Sequence, residues 1–463
     1  MIKYLIRLLL LIVITAFVSC DNNSNDTTTY FGGKIINPKS KFVVLFYMDK
    51  VIDTLFIDSE NKFLGKLENV KEGLYYFKHG VENQSIYLEP KDSLMLRLNT
   101  WDFDESIVFA GKGAERNNIL IDCFLENEKD NKKFYQLYKL EPNNFLDKVN
   151  KMITLKEKAY QKYIENHPNE TIDFKNVLKI ALTYPLFSRI ERYPIVHFKK
   201  NEKEAFHRIT DSFYTHRKSI NINNDALMYY PPYSQYVRNF LYNTTYALGH
   251  QPMTNEYSSD FTVDLLNTID KNIKSKESKN AFLKQTVIGH FFKKSSCKVN
   301  KKAFNTYFNL STNADDKNHV KQLLLDNEAL HKGHRIKNFT VHKSDSEFKS
   351  IEEVIRNKNT FLFFWSRDYI TPNYIAKRIN YLSNKFPEVQ FIEIEINGSQ
   401  NNTIHDLEAK NQFFITQENE ANKFLTSKMP RVVIVNKKGI VTNGFATISS
   451  RKLNRDLQEL TKY

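Results

Sequence analysis

The chain has 463 residues, 41% of them hydrophobic and 26% charged, with a net charge of +14. That is ordinary globular composition with room for about two to four domains. The cations are scattered among acids and asparagines, no block of like charge occurs, and no nucleic-acid module or arginine-rich arm is present, which excludes nucleic acid as a partner. The surplus reads as a solvated basic surface, with weak attraction to anionic lipid as the alternative.

The first twenty residues, MIKYLIRLLLLIVITAFVSC, place Lys3 and Arg7 before an apolar run from Leu8 to Val18, and small Ser19 precedes Cys20. The run is short for a permanent span and has the flanks of a secretory leader. The ending Phe-Val-Ser-Cys resembles a bacterial lipobox. That resemblance implies a signal peptide over 1–19, lipidation at Cys20, and a membrane partner reached through the anchor. The polar stretch DNNSNDTTT then forms a tether over 20–29. Within it, Asp26-Thr27-Thr28 resembles a short O-glycosylation signal.

From residue 30 to 115 the chain reads as a β domain. FVVLFYM, VIDTLFID, LYYFKHG and SIYLEP are separated by Gly, Asn, Asp and Pro signals, and SLMLRLN alternates, predicting a small antiparallel sandwich or barrel. Residues 116–335 carry a helical period. One predicted helix covers 144–165. Another follows Pro232 and sets Tyr233, Tyr236, Val237, Phe240, Leu241, Thr244, Ala247 and Leu248 on one face, with Gly249 as the stop. From 336 to 463 the pattern is α/β. FLFFW is a strand, 373–386 a helix, VQFIEIEI a strand and 417–425 a short helix; RVVIVN and IVTNGF are strands about a Lys-Lys-Gly turn, and 450–461 is a helix. The predicted fold class is therefore multidomain α+β.

The order from FLFFWS through NYIAKRINYLSNKFPEVQFIEIEI to KMPRVVIVNKKGIVTNG resembles the thioredoxin-like envelope lipoproteins of the Bacteroidota. SIYLEPKDSLMLRLN and IVFAGKGAERNN resemble the small β domain that precedes such modules. The resemblance implies a C-terminal thioredoxin-like domain, a proline at 430 that is cis in that family, and a turn opposite it built for a Cys-x-x-Cys pair. A helix N-terminus lowers the first thiol's pKa there, and the second thiol resolves the mixed disulfide. One register puts the thiol positions at Tyr369 and Pro372, the other at Ile370 and Asn373, and neither has sulfur. The expectation is a redox-inactive, non-catalytic binding or scaffold protein of the cell envelope, anchored in the outer membrane on its periplasmic or surface face. It would take a protein or peptide partner at Trp365, Asp368, Tyr369, Pro372, Met429, Pro430 and Arg431, and no cofactor.

Other constellations are weaker. Cys123, in ILIDCFLEN, reads as a buried structural thiol. Cys297, in FFKKSSCKVN, has lysines nearby but no resolving partner. A thiol oxidoreductase acting through either cysteine is the alternative activity. His331, His334 and His342 lack a third ligand of known geometry, so no metal is expected. The pairs Glu352-Glu353 and Glu393-Glu395 read as solvated faces. MYYPPYSQY (228–236) reads as helix-start packing, with carbohydrate binding as the alternative. No nucleophile elbow, phosphate-binding loop or dinucleotide fingerprint is present.

Overall fold

The computed structural model describes residues 28–198, 209–252, 258–294, 301–343, 347–367, 369–398, 403–404, 406–450 and 452–462. The leader, Cys20, most of the tether, Cys297 and Asp368 lie outside them. The protein is α+β, and the chain divides into two compact units, Met1–Gln136 with Met152–Pro185, and Leu137–Lys151 with Leu186–Tyr463.

In the first unit, eight strands form two four-stranded sheets, ordered β4-β1-β7-β8 and β3-β2-β5-β6. The strands are β1 (Thr29–Ile36), β2 (Phe42–Tyr47), β3 (Lys50–Phe56), β4 (Lys62–Leu67), β5 (Gly73–His79), β6 (Glu82–Leu88), β7 (Ser93–Asn99) and β8 (Val108–Ala110). Strict alternation, as in β4 with Phe63, Gly65 and Leu67 inward, gives each sheet one buried face. Phe31, Ile35, Val43, Leu45, Phe77 and Leu96 join those faces in one core. The sandwich is not wholly antiparallel, because β1 pairs with β7 in parallel. Five intervening strands separate β1 from β7 in sequence, so no tight hairpin dictates their direction.

Helix α1 (Ala114–Leu137) follows β8, and its first turn fastens both sheets. The Asn117 side chain accepts from the Tyr87 N–H at 2.8 Å and donates to the Tyr87 carbonyl at 2.9 Å, imitating a strand partner for β6. Asn118 does the same to Phe109 of β8, at 2.9 and 3.0 Å. Arg116 donates to both carboxylate oxygens of buried Asp92 at 2.8 Å. Two long helices follow, α2 (Pro142–Asn166) and α3 (Ile172–His197), each lending residues to both units.

The second unit contains α4 (Pro231–Tyr246), α5 (Ser259–Asn272), α6 (Lys276–Lys294), α7 (Lys301–Leu310) and α8 (Ala314–Ala329). Tyr233, Tyr236, Val237 and Leu241 of α4 are buried as the periodicity predicts. Ala247 and Leu248 are exposed, because the helix ends at Tyr246 and the following turn leaves the core. Tyr230, Tyr233 and Tyr236 of the aromatic cluster are buried in the core, as helix-start packing predicts, while Tyr229 is half-buried.

The C-terminal sheet of this unit has the order β10-β9-β13-β12-β11-β14-β15. Its elements are β9 (Thr340–His342), β10 (Phe348–Ser350), α9 (Ile351–Ile355), β11 (Thr360–Trp365), α10 (Pro372–Lys385), β12 (Gln390–Ile396), β13 (Gln412–Ile415), β14 (Arg431–Val435), β15 (Val441–Ala446) and α11 (Lys452–Thr461). β11, β12 and β13 run parallel, and β14 and β15 return antiparallel. Separate apolar clusters cover the two faces: Ile375, Ile379, Leu382, Leu453 and Leu457 of α10 and α11 on one, Ile351, Phe339 and Phe424 on the other. The segment after α8 runs beside β15 and closes on it, with Gly333 N–H donating to Val441 O at 2.8 Å and Val441 N–H to His334 O at 2.9 Å. Gly444 faces Leu330 so closely that a Cβ would meet its carbonyl at 2.0 Å. Among the described residues no helix is long and apolar enough to cross a membrane.

Replacing Asn117 by Ala orphans a buried N–H and a buried carbonyl at once. Asn117→Ala is expected to lower the stability of the first unit by about 3 kcal/mol, read from urea unfolding.

Candidate functional site: the turn between β11 and α10

β11 reads TFLFFW, and all six residues are buried because it lies centrally with both faces covered. At its end the Ser366 carbonyl accepts the N–H groups of Tyr369 and Ile370, each at 3.2 Å, which closes the turn. Thr371 then caps α10, its hydroxyl accepting from Tyr374 N–H at 3.4 Å, and Pro372 holds the first helical position with φ preset. Strand, tight turn and capped helix follow one another as the sequence predicts. A helix start of this kind favours negative charge, yet the side chains at both thiol registers are Tyr, Pro, Ile and Asn.

Beneath the turn, Arg367 donates through Nε to Glu395 Oε1 at 3.0 Å, with its guanidinium 5.6 Å from the Trp365 ring. Glu393 and Glu395 are buried, at 3% and 5% exposure, not solvated as the alternating E-I-E-I pattern predicts. The alternation is real, but both faces of β12 are covered by helices and loops. Burial pushes the Glu393 carboxyl up to about 8.

Opposite the turn, Met429 and Pro430 are half-buried. Among the described residues no cis peptide bond occurs, so the bond before Pro430 is trans and not the cis form that the resemblance implies; trans is the lower-energy form for an X–Pro bond by about 0.5–1 kcal/mol. Arg431 is 1% exposed, and its Nη1 donates to the backbone carbonyl of Asp326 at 2.8 Å. The guanidinium lies 5.4 Å from the Phe424 ring and 5.1 Å from that of Phe445. Burial lowers its pKa to about 10, which still leaves it cationic at neutral pH. Trp365, at 2% exposure, and Arg431 are thus internal and do not form a contact surface for another chain. Tyr369 is 45% exposed and Pro372 half-buried.

Helix α8 occupies the loop that leads to Pro430. Asp326 Oδ1 accepts from Thr426 N–H and hydroxyl at 2.8 and 2.7 Å, and Oδ2 from Ser427 N–H and hydroxyl at 2.9 and 2.6 Å. Two helical turns earlier, the His319 ring lies 6.4 Å from that of Tyr369, and burial with nearby Lys284 lowers its pKa. Sequence reasoning missed this contact: Asp326 sits inside the helical run LLLDNEAL, where a lone acid reads as a solvated position. It also missed Tyr374 and Tyr381, 44% and 51% exposed on α10, with the Arg378 guanidinium 5.2 Å from the Tyr381 ring. Their spacing, one face away from Ile375, Ile379 and Leu382, was the available signal.

Cys123 lies buried in α1, and burial pushes its thiol up to about 12. Among the described residues no group of three or more His, Cys, Asp or Glu is placed to hold a metal ion. His331 and His334 lie in the turn after α8, their rings 5.7 Å apart.

No protein family and no curated protein matches the chain. Solved structures do match part of it. A protein assigned as a thiol-disulfide oxidoreductase from Bacteroides vulgatus is 14% identical, covering 28% of this chain and 97% of its own, with a TM-score of 0.24. A protein assigned as the thiol:disulfide interchange protein DsbE from Chlorobium tepidum is 15% identical, covering 28% and 99%, with a TM-score of 0.24. The C-terminal domain of a protein assigned as a thiol-disulfide oxidoreductase from Bacteroides thetaiotaomicron is 12% identical, covering 28% and 97%, also at 0.24.

Two outcomes follow from this geometry. Native protein is expected to leave Cys123 unlabelled by iodoacetamide at pH 8, with labelling only after unfolding, as read by mass spectrometry. The folded Glu393 carboxyl holds its proton to about 8, whereas the unfolded one releases it near pH 4.3. The folded state therefore binds more protons between those values, and stability falls as pH rises through that window, by at most about 1.4 kcal/mol per pH unit. Glu393→Gln is expected to flatten that decline, measured as urea midpoints at pH 5 and pH 8.

Proposed function

We propose that the protein is a lipid-anchored cell-envelope protein whose C-terminal thioredoxin-like domain binds another protein or peptide and performs no thiol chemistry. The element order supports the fold: a central β11, a capped turn, α10, parallel β12, then the antiparallel β14–β15 pair and closing α11. The absence of sulfur from both registers of the turn carries the functional reading, because disulfide exchange needs a thiolate there. The exposed aromatic groups beside the turn, Tyr369, Tyr374 and Tyr381 with Arg378, have the composition of a protein-binding hot spot. In this reading the partner docks on the turn and the outer side of α10, while Arg431 serves the interior.

The anchor is Cys20, and the location is the outer membrane on its periplasmic or surface face. The oxidoreductase alternative through Cys123 draws no support from a buried thiol whose pKa is raised.

The purified chain is expected to give no dithiol-dependent reduction of insulin above background; catalytic turnover overturns the non-catalytic reading. A photocrosslinking residue at Tyr374 is expected to capture one envelope protein in cells, and Arg378→Ala with Tyr381→Ala to reduce that capture about tenfold. Capture at Lys437 instead of Tyr374 would move the binding face elsewhere. Labelled palmitate is expected in the parent chain and not in Cys20→Ser.

A further inference from the structure

The outer face of the β4-β1-β7-β8 sheet carries its charge in a register-defined row. Lys34 of β1 lies directly across from Lys62 of β4 on one side and Arg97 of β7 on the other, and all three are exposed. One step along the strands, Gly32 lies between Leu64 and Met95, and one step further Tyr30 lies across from Lys66. No outward position of these four strands is acidic. Glu60, on the turn before β4, pairs with Lys62; among the described residues neither Lys34 nor Arg97 has an ion-pair partner. Like charges directly opposite one another destabilise a sheet, so the arrangement costs the fold stability and calls for an anion to relieve it.

Apolar side chains accompany the cations. Leu64 is 62% exposed, and Val108, directly across from Arg97, is 60% exposed. Gly32 puts no side chain between Leu64 and Met95, and a shallow trough of about 580 Å³ lies there, lined by Lys34, Lys62, Leu64, Met95 and Phe56, with Asp58 as the one acid on its rim.

We infer that this sheet face docks on an anionic lipid surface, with Lys34, Lys62 and Arg97 meeting phosphate-bearing headgroups and Leu64 and Val108 entering the interface. A cationic row beside exposed apolar tips is the pattern that membrane interfaces select. Chain length points the same way. Eight residues lie between Cys20 and Thr29, where β1 begins, and the nine steps from one to the other reach at most about 32 Å when extended. A lipidated Cys20 therefore holds this sheet beside the headgroups. The inference rests on the lipid-anchor reading above and adds a second hold that orients the first unit on the membrane.

The test uses the full chain with Cys20→Ser, freed of its leader, so that no acyl group contributes. Sedimentation with vesicles of phosphatidylglycerol in phosphatidylcholine is expected to show binding that weakens with salt, and vesicles of phosphatidylcholine alone to show none. The combined Lys34→Glu, Lys62→Glu and Arg97→Glu variant is expected to lose about a hundredfold in partitioning. If that variant does not fold by circular dichroism, the milder Lys34→Gln with Arg97→Gln is expected to lose about tenfold. Lys437→Glu with Lys438→Glu, on an exposed turn of the second unit, is expected to change nothing. Absence of vesicle binding by the parent, or equal binding by the sheet variants, overturns the proposal, as does binding of an acidic protein in place of the vesicles. Palmitate incorporation at Cys20 reads the anchor independently: labelled chain without vesicle binding leaves the anchor standing and removes the docking face, and the reverse does the opposite.

Discussion

Asp326 is the buried ion around which the second unit is arranged. A carboxylate withdrawn from water survives only when its oxygens are saturated, and here two backbone N–H groups and two hydroxyls from Thr426 and Ser427 saturate them. The same residue's carbonyl takes the Arg431 guanidinium. One residue of α8 thus fixes the backbone leading into β14, the start of that strand, and the cation packed between Phe424 and Phe445. The neighbouring loop, Met429 and Pro430, inherits its position from these contacts. In this chain that loop is held from within by its own helix.

That internal hold bears on the proposed binding face. The helix start at Thr371 is held by the Ser366 carbonyl, the Thr371 cap and the ring of Pro372. The Arg367–Glu395 pair and the Trp365 ring support it from below. Exposed tyrosines on the turn and on α10 have two side-chain torsions each and little entropy to lose, which suits them to contact at low ordering cost.

Much of the C-terminal order was legible because its strands are continuous apolar runs and its helices keep a clean 3.6-residue period. Ile375, Ile379 and Leu382 are buried as spaced. Short elements were not legible: β9 and β10 have three residues each and β13 four, too few for a period to declare itself. Nor was the parallel β1–β7 pair, since pairing between distant strands leaves no local mark. The errors at Glu393, Glu395 and Arg431 share one cause. A charged residue in a strand reads as solvent-facing unless both faces of the sheet are known to be covered, and covering is a tertiary fact. Ala247 and Leu248 erred oppositely, an apolar period continuing past the last helical turn.

The asparagine pair at the start of α1 has a consequence beyond stability. Outermost strands present unpaired amides and carbonyls to any other chain that can lie alongside, and that is how sheets recruit strangers into fibres. Tyr87 and Phe109 have those groups taken up by Asn117 and Asn118. One edge strand of each sheet, β6 and β8, is thereby occupied at that point by a side chain that offers nothing to extend, which hinders a foreign strand from pairing there.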